Sequence, residues 1–210
     1  MVVGNKKRLQ KGRAEHLGPE RRRPQVLDAA LAIAEKRQIR AVTMEAVAAA
    51  LHVTKPVVYA CYASREELIE ALLEREEARL FEGVMAALPT TLDFDDPERM
   101  FADGFAALLH VVTKHPGSWQ LVLAEPDPAV ASRYGRARVQ VAARVSELMQ
   151  LGLTRMGTTD LARKLPFLVE LFMSAGDAAV RTMVRERDTW DAKELGAFVG
   201  RVVGAALRSA

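Results

Sequence analysis

The stretch VTMEAVAAALHVTKPVVYACYASREEL, residues 42–68, reads as two short helices joined by a tight turn and followed by the start of a third. Thr43 is placed to accept a backbone N–H of an opening helical turn, and Glu45 stands near the positive end of the same helix dipole. Val47, Ala48 and Leu51 then form an apolar stripe. Beyond His52 and Val53, Thr54 is a second N-cap, and Pro56 is tolerated in the next first turn because its missing N–H would have lacked a helical partner. The second helix, from Lys55 to about Cys61, turns Val58 to the core and leaves Lys55, Val57 and Tyr59 pointing elsewhere, a mixture suited to a DNA major groove. Ser64 and Glu67 make an S-x-x-E capping box for a third helix carrying Leu68, Ile69, Leu72 and Leu73. This is the spacing of a helix-turn-helix.

An earlier helix, VLDAALAIAEKR (Val26 to Arg37), completes a three-helix unit. Together with the Thr43 helix, the turn and the ending Tyr59-x-x-Tyr62-x-Ser64-Arg65-Glu66-x-Leu68, it resembles the tetracycline-repressor (TetR) family of bacterial transcription regulators over about residues 24–73. Tyr62 stands for the family's Phe and Arg65 for its Lys. Glycine is usual in the family after the first helix and inside the turn, where this chain has Gln38 and His52; His is among the residues enriched at positive φ. Cys61 occupies a position where the family often has a polar residue that touches phosphate.

The resemblance implies a homodimer that binds a palindromic operator in double-stranded DNA and releases it when a small-molecule effector occupies the C-terminal domain. On this reading Thr43, Thr54, Tyr59, Tyr62 and Arg65 hold phosphates, while Lys55, Pro56 and Val57 approach base edges. Repression is the expected mode. A helical small-molecule-binding protein without specific DNA binding is the alternative.

Residues 1–23 hold Lys6, Lys7, Arg8, Lys11, Arg13, Arg21, Arg22 and Arg23 against Glu15 and Glu20, so a chain whose total charge is only +3 concentrates its basic character here. A flexible arm able to neutralise phosphates is expected, and equally a solvated tail would read this way. No apolar core follows the charges as in a signal peptide, and no apolar run approaches the roughly 20 residues that span a bilayer. With one cysteine, a disulfide framework is excluded. A cytoplasmic protein without a membrane partner is expected.

After Leu73 the periodicity stays helical, giving an all-α chain of about nine helices: the arm 1–23, a helix-turn-helix domain 24–70, and an effector-binding and dimerisation domain 71–210. The Ser64 helix should continue to about Ala87. The polar loop TTLDFDD follows, then Asp96 and Pro97 open a helix, His115-Pro116-Gly117 closes it, and a short helix runs from about Ser118 to Ala124. Asp127-Pro128 starts a long helix ending near Gly157, and Pro166 should bend or delay the one after it.

Phe101, Phe105, Leu109, Trp119, Met149, Phe167, Phe172 and Met173 are candidates to line a pocket for a small apolar or aromatic effector, with His110, Tyr134 or Asp177 as a polar handle; packed interior explains any one of them as well. In the last two helices, Ala175, Gly176, Ala179 and Met183, with Gly196, Gly200, Val203 and Gly204, are candidates for a dimer interface, because glycines four apart on a helix suggest a neighbouring backbone at close range. Packing within one subunit is the other reading. His16, His52, His110 and His115 are not paired at metal-ligand spacing, and no phosphate-binding glycine loop occurs, so neither an enzyme nor a cofactor or metal site is expected.

Overall fold

The computed structural model describes residues 18–89, 96–123, 128–186 and 188–209. Among them there are helices and no strands: α1 (Pro19–Arg37), α2 (Met44–Ala50), α3 (Lys55–Tyr59), α4 (Arg65–Ala87), α5 (Pro97–Lys114), α6 (Pro116–Leu123), α7 (Pro128–Arg155), α8 (Leu161–Arg185) and α9 (Ala192–Arg208), with a 3-10 turn at Ile39–Ala41. The all-α architecture expected from periodicity is therefore the observed one.

Local chemistry sets most of the boundaries. Thr43 accepts the Ala46 N–H at 3.1 Å. Ser64 accepts the Glu67 N–H at 3.1 Å, while the Glu67 carboxylate reaches back to the Ala63 N–H at 2.6 Å, so both halves of a capping box are made, one residue outside its usual register. Asp96 caps α5 by accepting the Arg99 N–H, and Asp191 caps α9 in the same way. The rest of the loop 90–95, the expected N-cap Asp127 and residues 1–17 lie outside the described residues.

Two helices depart from expectation. α1 begins at Pro19, so residues 19–23 of the expected arm are its first turns, and Pro24 sits inside it. α8 starts at Leu161 and runs through Pro166 without delay. The turns use the residues singled out above: Gln38 has φ 68° and His52 φ 54°.

Two hydrophobic cores result. One joins α1 to α4 through Val26, Ala30, Val47, Val58, Leu68 and Leu72; the other joins α4 to α9 through Leu80, Phe105, Leu109, Val145, Leu168 and Val203. The short helix α6 serves both, because Trp119 belongs to the second core and Leu121 to the first. α9 runs antiparallel to α5 at very short range. A Cβ added to Gly196 would stand 2.5 Å from Ala106 N, and one added to Gly200 would stand 2.4 Å from Ala102 N.

Candidate DNA interface and ligand cavity

α2 packs against α1 and α3 against α2, with Val47 and Val58 buried in the core they share, which leaves the other side of α3 turned outward. Thr54, Lys55 and Pro56 are exposed there, Tyr59 is 47% exposed, and Val57 is half-buried. Lys55 Nζ meets Glu45 Oε1 at 2.6 Å. That bond holds the Glu45 carboxyl below its ordinary pKa and raises the lysine's. Thr43 is half-buried, its hydroxyl engaged in capping.

Tyr62 and Arg65, expected at phosphates, also make contacts within the domain. Tyr62 is only 5% exposed and lies beneath Arg23, whose guanidinium is 5.5 Å from the ring centroid. Arg65 donates to Val42 O at 2.7 Å and Ile39 O at 3.2 Å, so it closes the turn between α1 and α2. Both are tied into the domain because the backbone carbonyls of the turn and the core face of α3 need partners. Arg23, from the expected arm, donates to Cys61 O at 3.1 Å. Cys61 is buried, and burial raises its thiol pKa.

In the second domain a cavity of about 200 Å³ opens among α4 to α8, with α9 at its edge. Eight of the expected residues line it: Phe101, Phe105, Trp119, Tyr134, Met149, Phe172, Met173 and Asp177. Phe172 sits between Phe105 and Phe101, with ring centroids 5.0 and 6.0 Å away. Leu109 is fully buried but outside the lining, and His110 is exposed. Phe167 is 71% exposed and outside the lining, about a quarter-turn of α8 away from the buried Leu168.

The polar end of the cavity is a closed network. Tyr134 OH donates to Asp177 Oδ1 at 2.5 Å, Arg138 Nε donates to Asp177 Oδ2 at 3.2 Å, and Arg138 also forks onto Glu170 at 2.8 and 3.2 Å. Burial, then the bond to the Asp177 carboxylate, pushes the Tyr134 phenol above its ordinary pKa. The Arg138 guanidinium holds Glu170 below the usual carboxylate range. Arg138 escaped the sequence reading, although its spacing of one helical turn from Tyr134 placed the two on one face.

The proposed interface glycines are turned inward. Gly196, Gly200 and Gly204 face Ala106, Ala102 and Glu98 of α5 in the same chain, and Gly176 faces Phe105. Ala179, Met183 and Val203 are buried in the second core, with Ala175 packed against it. The close backbone approach is real, but the neighbour is α5. The outward faces of α8 and α9 instead carry Phe167, Phe198 and Val202.

The geometry is that of an all-α helix-turn-helix protein whose small domain is joined to a larger one built around a cavity. Residues 26–72 match the family model described as bacterial regulatory proteins, tetR family. The N-terminal domain belongs to that family, and the whole chain has a TetR-like fold. A TetR-like transcriptional regulator from Rhodococcus sp. RHA1 is similar in structure, with TM-score 0.70, 22% identity, and coverage of 90% of this chain and 97% of that one. So are a tetR-family regulator from Streptomyces coelicolor (TM-score 0.65, 18% identity, 92% and 82% covered) and a fatty acid degradation regulator from Bacillus halodurans (0.67, 15%, 89% and 96%). No curated protein matches the sequence. Among the described residues no helix is long and apolar enough to cross a membrane, and no His, Cys, Asp and Glu cluster could hold a metal ion.

Proposed function

We propose that this chain is a ligand-responsive DNA-binding transcriptional regulator, acting as a homodimeric repressor on a palindromic operator and released by a small effector. The observation that carries the reading is α6, eight residues that seat Trp119 at the cavity and Leu121 in the core of the helix-turn-helix. A change in cavity occupancy moves a helix on which α1 rests.

Thr54, Lys55, Pro56 and Tyr59 present the DNA-reading surface, with Thr43 and Val57 at its margin. The exposed Phe167, Phe198 and Val202 support a two-fold contact through α8 and α9, which would set two reading heads about 34 Å apart on one DNA face. Ligand entry shifts α4, whose first half holds the small domain through Leu72 and whose second half lines the cavity through Leu80 and Phe81. A coupling of about 1–3 kcal/mol is enough for a switch.

The test is selection of duplexes from a random DNA pool by the full chain at moderate salt, where charge alone holds poorly. A recovered palindrome supports the reading. Bound DNA without a shared sequence leaves only charge-driven binding, and no bound DNA leaves a helical ligand-binding protein.

A further inference from the structure

Within the cavity the charged groups already have partners. Asp177 is bonded to Arg138 and Tyr134, Arg138 also to Glu170, Arg208 stands 3.3 Å from Glu98, and Glu77 is engaged as well. A charged ligand would meet no free counter-charge and would have to break one of these pairs or be buried alone, which is strongly unfavourable.

One polar group differs. Trp119, on α6, lines the cavity and is 5% exposed, yet its buried Nε1–H has no acceptor among the described residues. A buried tryptophan N–H ordinarily finds a partner. The remaining walls are side chains such as Phe105, Met149 and Phe172, which offer dispersion contact and little else.

We infer that the cavity takes a neutral, largely apolar molecule carrying one hydrogen-bond acceptor, a carbonyl or ether oxygen or a ring nitrogen, which receives the Trp119 Nε1–H. This rests on the reading of the cavity as a ligand site. Because Trp119 is next to Ser118 and two residues from Leu121, the same hydrogen bond fixes the helix that touches the reading domain.

Four probes on one bicyclic skeleton test it by calorimetry with the full chain: α-tetralone, which has the acceptor; tetralin, which lacks it; protonated aminotetralin; and tetralin carboxylate. The ketone is expected to bind about fivefold tighter than the hydrocarbon, the yield of one neutral hydrogen bond. The two charged analogues should bind at least about tenfold more weakly than the ketone. Trp119→Phe should bring the ketone-to-tetralin affinity ratio down to about one, whatever the smaller ring does to both absolute affinities, and its helical circular dichroism and cooperative melting certify that the variant is folded. In a Trp190→Phe background the ketone should perturb Trp119 emission, which locates the site. Equal binding of ketone and hydrocarbon, or tightest binding of a charged analogue, overturns the inference and leaves the cavity a ligand site. Binding of none of the four overturns that underlying reading too.

Discussion

The Ser118 hydroxyl donates a 2.5 Å hydrogen bond to the carboxylate of Glu76, a side chain with no exposed surface in the middle of α4. The other Glu76 oxygen accepts from Arg75 Nε at 2.7 Å, and Arg75 reaches on to Asp28 of α1, also at 2.7 Å. Arg79 stands 3.4 Å from the carboxylate. One buried carboxylate thus connects α6, α4 and α1, the three helices that share the junction between the cores.

Glu76→Ala should lower stability by about 3 kcal/mol, because it takes the buried acceptor from the Ser118 hydroxyl and from Arg75 Nε, removes the ion pair with Arg79, and leaves a hole where a fully buried side chain stood, although Arg75 keeps Asp28. Ser118→Ala should lose only about 1–2 kcal/mol, since the ion pairs remain. Urea unfolding of both variants checks the ranking; equal losses would make the arginines unimportant.

Gly200→Ala should destabilise by about 2–3 kcal/mol despite the better helix propensity of alanine. The added methyl would collide with the backbone of Ala102 and Phe101, which a side-chain rotation cannot relieve. Gly204→Ala, where the nearest α5 atom is Glu98 Cα at 3.5 Å, should be nearly neutral or stabilising. Thermal unfolding of the pair decides whether α9 is pinned to α5 where the glycines say it is.

Gln38 adopts φ 68° and ψ 161°, a region that is essentially reserved for glycine. Gln38→Gly should therefore stabilise by about 1 kcal/mol and raise the Tm by roughly 2–4 °C for a chain of this size. A fall in Tm would mean that the Gln38 side chain contributes more than its backbone strain costs.

Lys55 is held by Glu45 on the exposed face of the helix-turn-helix, so on the proposed function DNA would compete with an internal carboxylate for one ammonium group. Glu45→Gln should raise operator affinity by a few-fold and Lys55→Ala should lower it, the latter reducing the salt dependence by about one phosphate contact. Because the lysine lowers the Glu45 pKa, the competition should persist below the pH at which an ordinary glutamate is neutralised. Fluorescence anisotropy against salt and pH measures all three effects; unchanged affinity in both variants would remove Lys55 from the interface.

Cys61 should react slowly with disulfide reagents in the folded protein and at the normal rate after denaturation. Burial raises its pKa, so at neutral pH the thiolate is scarcer than for a free thiol, and reactivity should rise only at more alkaline pH. Fast native labelling at pH 7 would contradict the burial of this thiol.

Much of this molecule is local, and that part was legible in the chain. Thr43, Ser64, Asp96 and Asp191 cap helices within three residues of themselves. The three-four spacing of apolar residues needs no distant partner to declare a helix, and the residues at the two turns where glycine is usual, Gln38 and His52, adopt the positive φ those positions require. Most of the cavity-lining aromatic and methionine residues were legible too, since a stripe on a middle helix of such a fold has few places to go.

What tertiary structure decided is which neighbour each face meets. A glycine stripe announces a close backbone without saying whose, and here α5 of the same chain takes that place, leaving Phe167, Phe198 and Val202 outside. Likewise Tyr62 and Arg65 have the chemistry of phosphate ligands, but how far each is drawn into the domain depends on carbonyls and a core brought together from residues 20 to 40 positions away. The network of Tyr134, Arg138, Asp177 and Glu170 pairs α7 with α8, and the buried bond from Ser118 to Glu76 spans 42 positions. Caps and periodicity act through the nearest backbone groups, so the sequence by itself determined the helices; burial and charge pairing act through space, so only the packed chain decided which side chains remain displayed.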